Sequence, residues 1–360
     1  MTLVRTRSAR SSADPYAGFV RVHATACYDL LVSLRALFNP RTYEATRAWA
    51  VGARRRLSKE ADARGVFFFR GHDTSLGYGV TRLVATLPEG AEPRALIAAV
   101  QAADPVELAL WMLDTGETSD SALATFREAL HGRASDRALS RALYGSSASW
   151  SRICKRVIQD PAWAQRELVL LLEEYETVFQ EEVAHVDDAI RQATQRANDL
   201  LGVLPTGVAI EQLTGGYTIG TNLNLTRITL APSAFIHPFV AARLDESAGE
   251  ALIVFGVRSA SLERYDPAPI DPELLKALRS LGDPGRLRLI RILAREALTT
   301  PELQARIGLS PATVHHHLHQ LRAAGLVRQE RVKGGMRYSI RRDSAVDLLA
   351  QLRRLILGVD

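Results

Sequence analysis

The spacing of apolar residues divides the chain into a long helical region, a short β-rich region and a compact C-terminal module. From about residue 24 to residue 201, apolar positions recur mostly every three to four residues, which is the period of an amphipathic helix. The longest such run extends from Pro161 to about Leu201, with glutamates mainly on its polar side. Further helices are predicted over residues 28–38, 43–57, 76–87, 93–103, 105–113, 121–131 and 136–144.

The pattern changes after the long helix. Stretches over residues 208–213, 224–230 and 251–257 have a β-like composition and lie between glycine pairs, prolines and charged segments, so they predict a small antiparallel sheet. We therefore predict an α+β fold that is mostly α. Its N-terminal parts are a flexible tail over residues 1–14, a helical domain with a small sheet over residues 15–263, and a linker over residues 264–269.

Residues 270–342 have the pattern of a winged helix-turn-helix. Thr300-Pro301 and Ser310-Pro311 each place a helix-capping hydroxyl before a proline, which at the first helical position gives up no hydrogen bond. The fourth predicted helix of the module starts at Pro311 and ends at Gly325. Two β-like runs around Gly334-Gly335 then predict a hairpin, the wing. Residues 343–360 form a last helix with an apolar stripe.

The fourth helix of this module is the candidate recognition helix, which would lie in the DNA major groove. Val314, Leu318 and Leu321 share one face and are assigned to the core. The opposite face is predicted to present Ala312, His316, His319 and Ala323. Residues near the start of a recognition helix reach base edges. The predicted contacts with bases or phosphates are Thr313, His315, His316 and Gln320.

The wing adds a basic surface beside the recognition helix. Arg331, Lys333 and Arg337 are placed near its tip, where they would contact phosphates or the minor groove. Residues 270–342 contain 14 lysines and arginines against 6 aspartates and glutamates, a net charge of +8. Residues 1–269 contain 29 against 31, a net charge of −2. The basic character of the chain therefore belongs to the module that is predicted to bind DNA.

Three motifs of the module resemble ArsR-type transcriptional regulators. Residues 281–288 (LGDPGRLR) are similar to the opening motif of that family, residues 309–318 (LSPATVHHHL) to its recognition helix, and residues 321–327 (LRAAGLV) to its entry into the wing. The resemblance implies a homodimer that binds an inverted-repeat operator on double-stranded DNA and acts as a repressor released by a signal. His315 stands where the family usually has serine, and Pro311 where a polar residue is common, so the operator sequence does not follow.

Many ArsR-type regulators sense soft metals through a Cys-x-Cys pair, and the corresponding segment here, residues 298–304, contains no cysteine. Cys27 and Cys154 are interpreted as small core residues of the N-terminal domain. His315 and His319 have the spacing of metal ligands on a helix, as do His185 and Asp188, and His72-Asp73 is a further pair. A polar or DNA-contacting role is favoured for these side chains. We predict no metal site and no cofactor.

The chain lacks the motifs of common catalytic sites. It has no Gly-x-Ser-x-Gly motif, and the glycines at 215–220 are not followed by the Lys-Ser/Thr of a phosphate loop. No apolar run approaches the length of a transmembrane helix. The leading hypothesis is a cytoplasmic, homodimeric, non-enzymatic DNA-binding regulator whose N-terminal domain binds a small molecule or a protein, or extends the dimer. The alternatives are an enzyme or an interaction scaffold fused to a DNA-binding module.

Overall fold

The computed structural model describes residues 14–43, 46–70, 76–115, 118–144, 146–245, 248–257, 271–333 and 335–357. The predicted tail, except for Asp14, and the predicted linker at residues 264–269 lie outside these residues. The N-terminal helices are α1 (Ala26–Phe38), α2 (Arg47–Arg54), α3 (Lys59–Phe69), α4 (Thr81–Val84), α5 (Pro93–Ala102), α6 (Pro105–Leu113), α7 (Asp120–Leu130), α8 (Asp136–Ala142), α9 (Ala148–Gln159), α10 (Pro161–Val203) and α11 (Thr206–Thr214).

Helix α10 is the central element of the N-terminal domain and confirms the long predicted helix. It begins where the Asp160 carboxylate accepts a hydrogen bond from the Trp163 amide, with Pro161 at the first helical position. Its inner side, which includes the fully buried Leu168 and Tyr175, packs against α3, α5 and α6. The Tyr175 hydroxyl donates a hydrogen bond to Ser33 Oγ on α1 at 2.7 Å. Helix α10 therefore contacts several of the surrounding helices and forms a single core with them.

The prediction of a strand over residues 208–213 is wrong, because this segment belongs to helix α11. Ala209 and Ile210 are buried, and the helix ends at Gly215, which has a left-handed φ of 67°. A run of six residues is too short to separate a helical from a strand period, so the buried face decided the outcome. Helices α3 and α9 were not predicted, although Ser58 and Ser147 cap them.

The segment predicted as a helix over residues 76–87 is a 3₁₀ turn, Leu76–Val80, followed by the short helix α4. Gly79 lies directly against the backbone of α6. A Cβ atom at this position would be 2.1 Å from the carbonyl oxygen of Trp111 and 2.9 Å from the Cα of Met112. The turn therefore depends on a residue without a side chain at this position.

The sheet of the N-terminal domain is mixed, which corrects the prediction of an antiparallel sheet. Its strands are β1 (Val20–Val22), β3 (Arg227–Ser233), β4 (Val240–Asp245) and β5 (Glu250–Gly256), in the spatial order β1-β3-β5-β4. The hairpin of β4 and β5 is antiparallel, whereas β3 lies on the other side of β5 and is parallel to both β5 and β1. Strand β4 was absent from the prediction and supplies the antiparallel neighbour of β5.

A buried carboxylate connects this sheet to α1. Asp29 is 2% exposed, and its Oδ1 accepts hydrogen bonds from Ser233 Oγ at 2.6 Å and from the Ala234 amide at 3.0 Å. Burial raises the pKa of Asp29 to about 7, although the hydrogen bonds oppose that shift. Because the folded-state pKa lies above the unfolded value of 3.8, the stability linked to this proton is fully present below the unfolded pKa. That stability is lost as the pH rises through about 7.

Replacing Asp29 by asparagine is expected to remove this pH dependence. The difference between the two proteins is the free energy of unfolding of the variant minus that of the unmodified protein. From pH 5 to pH 8 this difference should increase by about 2–4 kcal/mol, because asparagine carries no charge to bury. Urea unfolding at both pH values measures the difference. Asp62→Asn is the control. Arg54 lowers the pKa of Asp62, so this carboxylate stays ionised over the whole range, and the free energy of unfolding of Asp62→Asn should differ from that of the unmodified protein by the same amount at both pH values. A constant difference for Asp29→Asn would contradict the assignment.

The C-terminal module has the predicted winged helix-turn-helix elements. They are α12 (Pro272–Leu281), α13 (Pro284–Leu293), β6 (Leu298–Thr299), α14 (Thr300–Ile307), α15 (Pro311–Ala323), β7 (Val327–Val332), β8 (Gly335–Ile340) and α16 (Arg342–Leu357). The side chains of Asp271, Asp283 and Ser310 each accept a hydrogen bond from the first turn of the following helix. The fully buried Leu289, Leu303 and Val314 lie in the core of the module.

A second sheet joins the two parts of the chain. Its order is β2-β7-β8-β6, and β2 (Tyr217–Ile219) comes from the N-terminal domain. Strand β2 runs parallel to β7, with Tyr217 opposite Gln329. The Gln329 amide donates to the Gly216 carbonyl oxygen at 2.9 Å, and the Gly220 amide donates to that of Arg331 at 2.8 Å. The outer edge of the wing is therefore paired with the N-terminal domain, which the sequence analysis did not predict.

Within the described residues, no single helix combines the length and apolar composition required to cross a membrane. The pair formed by α5 and α6, bent by 113°, meets these requirements only when both helices are taken together. Leu96, Leu108 and Met112 of this pair are buried in the N-terminal core.

Candidate nucleic-acid interface

The N-terminal half of α15 projects from the module with its polar side outward. Ser310 fixes its start, because its Oγ accepts from the Thr313 amide at 3.2 Å and lies 2.7 Å from Thr313 Oγ1. Val314 and Leu318 are buried beneath it, whereas Ala312 and His316 are exposed. The predicted contact residues Thr313, His315 and Gln320 are partly exposed, so their role in DNA contact stays a prediction.

His317 has a structural place between two helices. It is 9% exposed, and its Nε2 lies 3.7 Å from Oδ1 of Asp283, the cap of α13. Burial lowers the pKa of His317, while the Asp283 charge opposes that shift. A Cβ atom at Gly285 would be 2.7 Å from His317 Nε2, so the glycine leaves room for the ring. Among the residues that the structure describes, no three histidine, cysteine, aspartate or glutamate side chains are placed to hold a metal ion.

The wing residues differ in their environment. Lys333 and Arg337 are exposed, as expected for phosphate contacts. Arg331 is only partly exposed, and it shares a sheet face with Gln329, which is buried. Its Nε is buried and has no hydrogen-bond partner among the described residues. Strand β2 of the N-terminal domain pairs with the strand that carries Arg331, and the contact of Arg331 with DNA stays a prediction.

The C-terminal half of α15 faces the N-terminal domain, which corrects the predicted open face. The His319 ring stacks on Phe239 with ring centroids 4.4 Å apart and an interplanar angle of 24°. Ala323 is 4% exposed and belongs to the N-terminal core. Arg322 Nη2 donates to the carbonyl oxygen of Val240 at 3.1 Å. A helical period identifies two opposite faces, but it cannot tell whether the outer face meets solvent or another domain.

Three further contacts hold the module against the N-terminal domain. Arg328 on β7 forms an ion pair with Glu211 on α11 at 2.6 Å. Arg341 Nη1 donates to the carbonyl oxygen of Gly215 at 2.8 Å. His237 Nε2 lies 3.3 Å from Oε1 of Glu273 on α12. These contacts surround α15 and β7, so the module is fixed along two of its elements.

A cavity of about 130 Å³ lies behind the recognition helix, between the module and the N-terminal domain. Three arginines line it together with two histidines and several aromatic rings, and none of the lining residues that the structure describes carries a carboxylate. Arg35 and Arg243 come from α1 and β4, and Arg322 comes from α15. The polar and aromatic lining residues are Arg35, Tyr43, Tyr78, Thr115, Tyr217, Phe239, Arg243, His315, His319, Arg322, Gln329 and Tyr338.

Two buried donors at this cavity have no hydrogen-bond partner among the described residues. They are the hydroxyl of Tyr78, a residue 8% exposed, and Nε of Arg243, a residue 6% exposed. Arg243 Nη1 binds the Asp114 carboxylate at 3.0 Å, and that carboxylate also binds Arg82 at 3.0 Å. Burial lowers the pKa of Arg243, and burial raises the pKa of Tyr78 against the opposing charges of Arg35 and Arg243. A buried donor without an acceptor costs about 1–3 kcal/mol, so both groups call for an explanation.

The residues of this cavity could not be identified from the sequence, because they lie far from one another along the chain. Arg35, Tyr78 and Arg243 belong to three different elements and form no motif. One local signal existed, since Arg243 is a charged residue within the otherwise mostly apolar segment 239–244.

Comparison with known proteins concerns the C-terminal module. Residues 281–330 match the family model described as "Helix-turn-helix domain". A curated relative, "Transcriptional repressor SmtB homolog" of Synechocystis sp., is 32% identical over 80 residues, which are 22% of this chain. The chain spans 61% of the length of that relative. No solved structure matches the chain.

Proposed function

Because residues 281–330 form an ArsR-type helix-turn-helix, we propose that this chain is a sequence-specific DNA-binding transcriptional regulator and acts as a repressor. The observation that carries the proposal is the exposed N-terminal half of α15, capped by Ser310 and flanked by a basic hairpin. Thr313 and His316 are in position to contact bases, and Lys333 and Arg337 to contact phosphates. The net charge of +8 over residues 270–342 supports the same assignment.

The functional unit that we propose is a homodimer on an inverted repeat. Helix α16 packs on α12 through the buried Leu348 and leaves an apolar stripe uncovered on its other side. In this stripe Val346 is 63% exposed, Leu349 65%, Ile356 68% and Leu357 61%. A second copy that covers the stripe would supply a second recognition helix. A twofold dimer places two such helices about 34 Å apart, one turn of DNA.

The signal that we propose for the N-terminal domain is not bound by thiolates. Cys27 and Cys154 are both fully buried. The Cys27 thiol donates to backbone oxygens of Ala91 and Glu92, at 3.4 and 3.3 Å. Burial raises the pKa of Cys154 to about 12 and also raises that of Cys27. Soft metals bind thiolates, so neither cysteine is suited to this role.

Selection of tight-binding duplexes from a random DNA pool, followed by fluorescence anisotropy, tests the proposal. The unmodified protein is expected to select an inverted repeat. His316→Ala should weaken binding to the selected duplex by about 1–3 kcal/mol and leave binding to unrelated DNA almost unchanged. Lys333→Ala should weaken binding to both and reduce the salt slope by about one. The control is His131→Ala, which removes an exposed histidine of the N-terminal domain. Equal affinity of the unmodified protein for all duplexes would contradict the proposal.

A further inference from the structure

The cavity behind the recognition helix is built by both parts of the chain. Arg35, Tyr78 and Arg243 form the N-terminal side, and His319 and Arg322 of α15 form the other side. Arg322 also ties the two sides together, because its Nη2 donates to the Val240 carbonyl oxygen, while its Nη1 donates to Gln329 Oε1 within the C-terminal module at 2.5 Å. Any molecule in this cavity would therefore contact the N-terminal domain and the recognition helix at the same time.

The chemistry of the lining favours an anion. Arginine offers donors only, and Arg35, Arg243 and Arg322 line the cavity, whereas none of the described lining residues carries a carboxylate. The Asp114 carboxylate binds Arg243 and is shared with Arg82. The Tyr78 hydroxyl and Arg243 Nε are buried donors without a partner among the described residues. Water could accept these hydrogen bonds, but an anion would accept them and also interact favourably with the positively charged arginines.

The remaining walls favour a flat apolar body on that anion. Aromatic side chains from both sides line the cavity, and the stacked pair of Phe239 and His319 lies at their junction. Ile236, Leu318 and Met336 add apolar surface. Pockets for small organic ligands combine such apolar walls with a few polar groups that fix orientation. A simple inorganic ion would leave most of this surface without contacts.

We infer that this cavity binds a small aromatic anion, with a carboxylate or phosphate group held by the arginines and Tyr78 and a ring held between the aromatic walls. The ligand would bridge the N-terminal domain and α15. That such an anion is the signal of a DNA-binding regulator rests on the proposed function. That the cavity binds the anion does not rest on it, and this binding is tested without DNA.

Thermal unfolding of the full chain with four probes tests the site. Benzoate and phenyl phosphate carry a ring and an anionic group, acetate carries the anionic group alone, and benzylamine carries the ring with a positive charge. At a hundredfold excess over Kd, a ligand of the folded state should raise Tm by about 5 °C. Benzoate or phenyl phosphate is expected to do so, and the larger of their two shifts identifies the head group. Acetate should give a much smaller shift, and benzylamine none.

Tyr78→Phe then locates the binding. The variant removes only a buried hydroxyl that has no partner among the described residues, so Tm without ligand should not fall and should rise by a few degrees at most. The affinity for the binding anion, measured by titration calorimetry, should fall at least tenfold. Tyr144→Phe makes the same chemical change at a residue that is 91% exposed, and it should alter neither quantity.

Three results would overturn the inference. The first is the absence of a Tm shift with both aromatic anions at millimolar concentration, and the second is an equal shift with benzylamine. The third is an unchanged anion affinity in Tyr78→Phe, which would place the binding elsewhere. Failure of the protein to select DNA would contradict the proposed function and leave both measurements valid.

Discussion

A protein that carries Leu349→Glu together with Ile356→Glu is expected to sediment as a monomer and to lose at least about a hundredfold in affinity for an inverted-repeat duplex. Both side chains lie in the uncovered apolar stripe of α16 and are about two-thirds exposed, so charge at these positions costs the folded monomer little. In a dimer the glutamates would be buried against the partner without a compensating charge. Affinity for a duplex with a single half-site should change little, because each recognition helix is untouched.

Sedimentation and anisotropy on the two duplexes measure these effects. Val203→Glu with Val208→Glu is the matched control, since these valines are 78% and 43% exposed and lie outside the stripe. The control should remain dimeric and bind the inverted repeat normally. If the α16 variant still sediments as a dimer, the stripe does not form the dimer seam, and the N-terminal domain becomes the candidate.

Gly79→Ala is expected to lower the free energy of unfolding by at least about 3 kcal/mol, at the upper end of the range for overpacked cores. The added methyl group would lie 2.1 Å from the Trp111 carbonyl oxygen, 2.7 Å from its carbonyl carbon and 2.9 Å from the Met112 Cα. All three atoms belong to the backbone of α6, so no side-chain rotation can relieve the overlap. The 3₁₀ turn must separate from α6, whose Leu108 and Met112 are buried in the N-terminal core.

Gly52→Ala provides the comparison for this measurement. Gly52 lies inside α2, and a Cβ atom there would have no neighbour within 4 Å, so alanine should stabilise the protein by up to about 1 kcal/mol. Urea unfolding of both variants gives the difference. A Gly79→Ala protein as stable as the unmodified chain would show that the turn and α6 are not in contact in solution.

The part of the fold that could be predicted from the sequence is the part whose signals are local. Ser310-Pro311 starts α15 at the expected residue, and Gly308, at a φ of 68°, ends the preceding helix. The long run of apolar residues at helical spacing that begins at Pro161 identified α10 for the same reason. The prediction of a strand over residues 208–213 failed because a pattern of six residues fits both a strand and a helix. The burial of Ile210 by tertiary packing decided between the two.

The contact between the two parts of the chain could not be predicted in this way. The three residues of β2 carry no signal that distinguishes them from a turn, and their partner strand lies more than 100 residues away. His319 and Ala323 were assigned to an open surface because a single sequence does not reveal what covers a helix face. Of the predicted DNA contacts on α15, His316 is exposed, whereas His315 lines the cavity toward the N-terminal domain.

The position of β2 also determines which fragments of this protein would remain soluble. A wing strand without β2 presents a row of unsatisfied amide and carbonyl groups along β7, and such an edge readily recruits a strand from another molecule. Beside that edge, Ala323 would leave the N-terminal core and the ring of His319 would lose Phe239. A fragment that begins at residue 271 is therefore expected to expose this edge and to self-associate, whereas in the full chain β2 pairs with it. The N-terminal domain protects the DNA-binding module from self-association.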